Sequence, residues 1–411
     1  MTMFTAGITF VSGSTVIPTL VALLTNSPIL VGLISGLTSG AWLLPQLFVA
    51  AWAVRFPRKK PILVTSAIIS RTFFFVTGLA IGLLGTSKPV LTLAILILGQ
   101  VAFFFFDAIA SVPWFDLLAK TIPARRRGRV LGIGQVLGAI CGILVGFAVR
   151  FILGTSSPWA FPWNFAVLFF SAGTILMVSI IMLAMIREAP SPVPADTPPG
   201  MKQMLASLPA LIRQDKAFGK MLLTRLVVGF ASVATSFYVI YATRDQGLGT
   251  DVTGLLLSAQ VVGSLLAGLL IGALQDRRGV MVYMRVVIVS AMLPPIMTLI
   301  TGLVAPHLGS ARLVPYLVIF GLLGIYMNSV GWPFFSWMLE HAPESKRPLY
   351  IGVSNTLGAL TMAAPPLGGL LVNTLGYPAV FIAALVFAVG GLLLSFWLPA
   401  PSPHLENPQP S

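Results

Sequence analysis

Long apolar runs, each cut by a short polar or Pro/Gly-rich break, alternate along the whole chain and predict helices rather than strands. The runs cover residues 4–24, 29–54, 62–85 and 90–119, then a glycine-rich segment reaching residue 153, and 159–186. After a polar interval they resume at 218–243, 252–275, 280–304, 313–339, 349–375 and 377–398. Each is near or above the about 20 residues an α-helix needs to cross a bilayer. The alternating segments of about 10 residues that build a membrane barrel are absent. The expected fold is an all-α membrane protein with twelve transmembrane helices in two pseudo-symmetric six-helix bundles.

The boundaries follow from the breaks. Residues 1–186 form the expected N-terminal bundle and 217–398 the C-terminal one. The interval 187–216 carries five prolines before Met201 together with scattered charges, and reads as a cytoplasmic linker. Its later part, 201–212, has an amphipathic pattern that suits either a membrane surface or a solvated linker helix. Residues 399–411 form a Pro-rich tail expected to be disordered. A repeat supports the division: residues 123–139, PARRRGRVLGIGQVLGA, return as PESKRPLYIGVSNTLGA at 343–359 with six identical positions and no gap. On the register that pairs the second helices of the two halves, Met1 falls opposite Leu223, inside a helix. A short first helix and a start upstream of this Met1 both remain open.

Composition sharpens the membrane assignment. The chain is 57% hydrophobic and 9% charged, far below the about 25% charge of soluble domains. Its net charge of +14 orients helices rather than binding nucleic acid. Eighteen of the 25 Lys+Arg lie in alternate loops, from Arg55, Arg58, Lys59 and Lys60 through Lys120 to Arg129 and on to Lys346 and Arg347. The opposite loops hold only Lys88, Arg150, Arg244 and Arg312. The positive-inside rule then puts both termini in the cytoplasm, and the expected location is the plasma (inner) membrane. The lone Cys141 excludes an intrachain disulfide. The first 24 residues lack the basic start and small-residue cleavage site of a signal peptide.

Two loops carry motifs. Residues 272–279, GALQDRRG, fit Gly-x-x-x-Asp-Arg-x-Gly at a helix end. The N-terminal copy is degenerate, with Ala50, Val54 and Pro57 at the Gly, Asp and Gly positions, while Arg55, Arg58 and Lys59 fit. This pattern, the Pro-Arg-Gly stretch at 123–139 and the duplicated helices resemble the major facilitator superfamily over almost the whole chain. The resemblance implies two bundles rocking about a midplane site, lined by the first, fourth, seventh and tenth helices, and loop motifs that act as a cytoplasmic gate. The candidate gate residues are Arg55, Arg58, Asp116, Arg127, Asp276, Arg277, Glu340 and Arg347. Gly134, Gly138, Gly142 and Gly146 share one helix face and should admit a close neighbour. Pro365, Pro366, Gly368 and Gly369 point to packing and a kink.

Ionisable residues within apolar runs are costly and mark candidate sites. Asp107 lies about 12 residues before the end of its run, hence about 18 Å deep. It shares a helical face with Gln100, Phe104, Ser111 and Trp114. Transport coupling and an ion pair with Arg71 are both open for it. The candidate substrate and proton-coupling set is Asp107, Gln100, Arg71, Ser111, Tyr238, Asn328 and Trp332. Arg225 is expected to snorkel to the interface.

No GxxxxGK[ST] is present, and the three histidines, His307, His341 and His404, are expected scattered in loops or the tail. No catalytic or metal site and no cofactor is expected, and the chain is not read as an enzyme. The expected partners are a small-molecule substrate, protons and membrane lipid, with no nucleic acid, on a monomer. The sequence therefore predicts a secondary transporter of a small organic solute, with proton-coupled export as its mode. The alternative is a transporter-like sensor or assembly factor without solute transport.

Overall fold

A computed structural model describes residues 1–53, 55–188, 190, 210–270, 272–343 and 346–401. Among these residues the chain is helical throughout, without strands. Helices α1 (Thr2–Phe10), α2 (Val16–Leu24), α3 (Pro28–Ala53), α4 (Lys60–Leu84), α5 (Pro89–Thr121), α6 (Ala124–Leu153) and α7 (Trp163–Ala184) come first. They are followed by α8 (Lys216–Phe230), α9 (Phe237–Ile240), α10 (Thr253–Leu270), α11 (Gly272–Leu308), α12 (Leu313–Ser329) and α13 (Trp332–His341). Helices α14 (Arg347–Gly358), α15 (Ala364–Leu375) and α16 (Tyr377–Trp397) complete the fold. Most of the expected linker (191–209) and all but the first residues of the tail (402–411) lie outside the described residues. Of the amphipathic piece, Leu211 is buried and Ile212 packs beside it against Phe218 and Met221, so its end is core rather than membrane surface.

Eight helices among the described residues are long and apolar enough to cross a membrane, fewer than the twelve runs of the sequence. The shortfall has local causes. The run at 4–24 is broken between Phe10 and Val16. Ser12, Gly13, Ser14 and Thr15 are poor helix formers that compete for backbone bonds, and Pro18 has no N–H to offer the Ser14 carbonyl. The run at 349–375 is broken by a 3₁₀ turn at Ala359–Ala363. Pro365 and Pro366 there withhold the donors that the Thr361 and Met362 carbonyls would receive in an α-helix. The run at 218–243 is one of the eight, although it changes pitch twice, through a 3₁₀ turn at Ala231–Ala234 and a π turn at Tyr241–Asp245. At the end of the 272–279 motif, Gly279 takes φ 79° and ψ 168°, which is open essentially to glycine alone.

Helices up to α7 pack chiefly on one another, as do those from α8 onward. Aromatic contacts such as Phe74 on Phe103, with ring centroids 4.3 Å apart, fill the first set. The two sets meet along α3 with α15 and along α6 with α10. Both seams rest on glycine. Gly32 faces the Pro365 carbonyl and Gly36 the Met362 carbonyl, one of those deprived of a helical donor. Gly369 reciprocates against Pro28 and Ile29. On α6 the predicted stripe does admit neighbours: Gly138 faces Thr5, Gly142 faces Val261, and Gly146 faces Ser258 and Gly254. These seams lie towards the ends of α3, α6, α10 and α15 remote from the basic loops.

Candidate functional site

Two cavities matter, and the sequence candidates divide between them and the core. The first, about 780 Å³, sits inside the first set of helices and is lined from α1, α4, α5 and α7. Asp107, Ser111 and Trp114 all face it, as the shared helical face predicts, and Arg71 closes it from α4. Gln100 does not join them; about two turns deeper than Asp107, it is buried in the core.

Arg71 and Asp107 form an ion pair at 3.0 Å with both side chains about nine-tenths enclosed. The guanidinium also donates to the Ser70 hydroxyl and lies over the Phe4 and Phe103 rings at 5.6 and 5.7 Å. Each charge is compensated in a medium that would otherwise penalise it heavily. Both readings of Asp107 thus meet in one place, because the pair is formed and it also borders a cavity.

The second cavity, about 460 Å³, lies between the two sets of helices. Three of the helix interruptions described above contribute to it: Ser12, Gly13 and Ser14 from the break after α1, Ser232 and Thr235 from the 3₁₀ turn after α8 and its edge, and Thr361 from the break before α15. Breaks serve this purpose because side chains and backbone leave their helical register where a solute can reach them. Ser14 donates to Gln260 Oε1 across the cavity at 2.8 Å. A bond between Ser236 and Ser35 at 2.6 Å ties the sets together beside it. Sequence reasoning missed this site. Its polar lining is mostly serine and threonine with one glutamine, each unremarkable in its own segment, set among apolar residues such as Ile8, Leu257 and Val261.

The remaining candidates lie outside both cavities. Tyr238 is buried and stacked on Phe381 with centroids 5.0 Å apart. Asn328 donates to the Ser264 carbonyl at 3.2 Å, joining α12 to α10. Trp332 is exposed and packs edge-on to Phe335. The predicted single constellation of these residues with Asp107 does not form, because their helices turn those side chains to the core or the surface. Arg225 does not snorkel. It donates to the Ser354 hydroxyl and to Asn355 Oδ1 at 3.2 Å, bridging α8 to α14.

At the basic end the ion pairs form within each set of helices. Asp116 meets Lys59 at 3.0 Å and Lys120 at 2.7 Å, the pairing with loop bases that the sequence suggested. Glu188 completes the cluster. It takes Lys120 Nζ at 2.8 Å and the backbone amides of Lys59 and Lys60 at 3.0 and 2.8 Å, so a carboxylate caps the start of α4. In the second set Asp215 caps α8 through the Phe218 amide at 2.9 Å. It also bonds His341 Nε2 at 2.9 Å and the Tyr350 hydroxyl at 2.8 Å, so His341 is a buried structural partner rather than a stray loop residue. Arg55, Arg58, Asp276, Arg277 and Glu340 are exposed, and none of them makes an ion pair among the described residues. Arg347 is half-buried at the start of α14. The side chain of Arg127 lies outside the described residues.

Burial alone would push the Glu188 carboxyl up, but the Lys120 ammonium and the Lys59 and Lys60 amides outweigh it and hold the group below the usual carboxylate range. Burial also opposes ionisation of Asp215, and the Phe218 amide, Tyr350 and His341 overcome it to the same effect. A carboxylate held low in the folded state adds stability above its unfolded pKa of about 4. That contribution fades as the pH falls through the folded value. Glu188→Gln should therefore cost about 1–3 kcal/mol at pH 7. Its melting temperature should fall below wild type at pH 7, and the gap should shrink as the pH is taken below about 4.

Known proteins agree with this architecture. Three solved structures share the fold along nearly their full length. A bacterial homologue of the iron transporter ferroportin, in an inward-facing state, aligns with a TM-score of 0.73 at 11% identity, over 97% of this chain and 96% of that one. A nucleoside transporter aligns with a TM-score of 0.69 at 11% identity, covering 97% of each chain. A D-xylose–proton symporter gives 0.66 at 16% identity, over 98% of this chain and 97% of that one. At such identities the likeness speaks to the fold alone. No curated protein sequence matches significantly. The family model of the Major Facilitator Superfamily matches residues 1–364. A match over most of the chain, on helices this apolar, makes it an integral membrane protein that belongs to the major facilitator superfamily of transporters.

Proposed function

We propose that this chain is a secondary active transporter that carries a small organic solute by alternating access, through the cavity between its two sets of helices. The observation that carries this reading is the asymmetry around that cavity. Glycine contacts against backbone draw the sets tightly together at one end, while the ion pairs of Asp116, Glu188 and Asp215 at the other end lie each within one set. Two sets held most tightly at one end suit a rocking mechanism. The fold in this reading has twelve crossings. Residues 1–186 and 217–398 are the bundles, 187–216 the cytoplasmic linker and 399–411 the tail. Both termini face the cytoplasm of a plasma-membrane monomer, as the loop charges favour. The nucleoside transporter and the D-xylose–proton symporter among the fold relatives support a small-molecule cargo.

Export driven by protons is the proposed mode, with Asp107 as proton carrier. Protonation there would release Arg71 from its partner and alter its contact with the Phe4 ring of α1. Among the proposed gate residues, Asp116 works through its lysine pairs, while Arg55, Arg58, Asp276, Arg277, Glu340 and Arg347 act when the basic ends converge. Thr38, on the cavity wall, offers a test of alternating access. In a Cys141→Ser background, Thr38→Cys should react with an impermeant maleimide from one face of the membrane in some conditions and from the other face in others. Reaction from one face only, across pH gradients of both signs, would overturn the proposal.

A further inference from the structure

The chemistry of the central cavity narrows its solute. Among the described residues that line it, none is charged. A net charge placed there would leave water without a counter-charge to receive it, which is strongly unfavourable. Four of the hydroxyls are used in one direction. Thr9 donates to the Thr5 carbonyl at 2.6 Å, Thr38 to Ser35 at 2.9 Å, Thr361 to Gly358 at 2.7 Å and Ser264 to Gly324 at 3.2 Å. Their hydrogens are committed to backbone, and their oxygens keep lone pairs for the cavity.

Gln260 is the exception. Its carbonyl oxygen is taken by Ser14, which fixes the amide so that its NH₂ points the other way. There it meets only the Met327 thioether at 3.3 Å, a weak acceptor. The wall therefore presents the lone pairs of those four hydroxyls, the uncommitted hydroxyls of Ser232 and Thr235, and the under-used Gln260 amide.

We infer that this cavity takes an uncharged polar solute with hydroxyl groups that both donate and accept, of the size and kind of a monosaccharide or polyol, held through at least one of its acceptor oxygens by the Gln260 amide. A volume of about 460 Å³ is at the small end for organic-ligand sites and suits a solute of that size. Anions are disfavoured because no cationic side chain among the described lining residues balances them. Cations are disfavoured because no carboxylate balances them. The inference rests on the central cavity being the transport site.

The test uses the full chain in proteoliposomes with glucose, gluconate and glucosamine, which share a skeleton and differ in charge, and with mannitol as a second neutral probe. Glucose or mannitol should bind or be carried at least about 10-fold better than the charged pair. Gln260→Leu should weaken the neutral probe about 10-fold or more without lowering the melting temperature. Gln260→Glu should shift preference towards glucosamine, which a merely structural glutamine would not do. Equal or better handling of gluconate or glucosamine by the unaltered protein overturns the solute class while leaving the transport reading intact. So does failure of both neutral probes while Thr38→Cys still changes the face from which it reacts. Failure of the probes together with one-sided Thr38→Cys reactivity overturns the transport reading as well.

Discussion

Asp107→Ala is expected to be among the most damaging single changes in the protein, lowering stability by about 3–5 kcal/mol. The substitution removes one partner of a pair whose side chains are about nine-tenths enclosed and leaves the Arg71 guanidinium caged by Phe4 and Phe103 with its charge uncompensated. Adding Arg71→Leu should recover most of the loss, because an apolar pair in place of a buried ionic one is often neutral. Melting in detergent measures both steps. A double variant no more stable than Asp107→Ala would show that the ion pair is not what holds this region. Asp107→Asn keeps the shape of the side chain and addresses coupling instead. It should let solute equilibrate down its own gradient while abolishing accumulation driven by a pH gradient. Retention of full pH-driven accumulation would remove Asp107 from the proton path.

The second large effect is expected at the α3–α15 seam. A β-carbon on Gly369 would lie 2.6 Å from the Ile29 Cα, and backbone cannot give way as a side-chain tip can. Gly369→Val should therefore disfavour the arrangement in which these ends touch by about 1–3 kcal/mol, a change of about 5- to 150-fold in population. Transport should fall by a comparable factor. The reactivity of Thr38→Cys from the seam side should rise while the melting temperature changes little. Gly390→Ala is a control in the same set of helices, since its added carbon would rest 3.6 Å from Val227, an ordinary contact.

Much of this architecture is visible in the residues themselves, and the parts that are not have physical causes. The apolar runs give the helices, and the depth of Asp107 and Arg71 within theirs brings the pair together. The four-residue spacing of Gly134 to Gly146 announces a close neighbour without saying which one. The central cavity stays hidden because its bonds join residues far apart in the chain, such as Ser14 to Gln260 and Ser35 to Ser236. Serine and threonine also satisfy their own helices so readily that a lone one carries no signal. Tyr238 misleads for another reason. It follows a 3₁₀ turn and precedes a π turn, so a projection at 3.6 residues per turn assigns its face wrongly. Glu188 and Asp215 lie at the margins of a polar stretch, where a carboxylate looks like part of a solvated linker until its helix caps are seen.

The two ends of the molecule answer to different variables. The glycine seams hold by close contact of neutral backbone, which neither protons nor salt can address. The basic end depends on carboxylates seated on amides and ammonium groups. Acidification should therefore loosen the protein from one end, with amide exchange quickening first at the starts of α4 and α8 while α3 and α15 stay protected. A molecule built this way has a grain: stress applied as acid and stress applied as heat should part it along different planes.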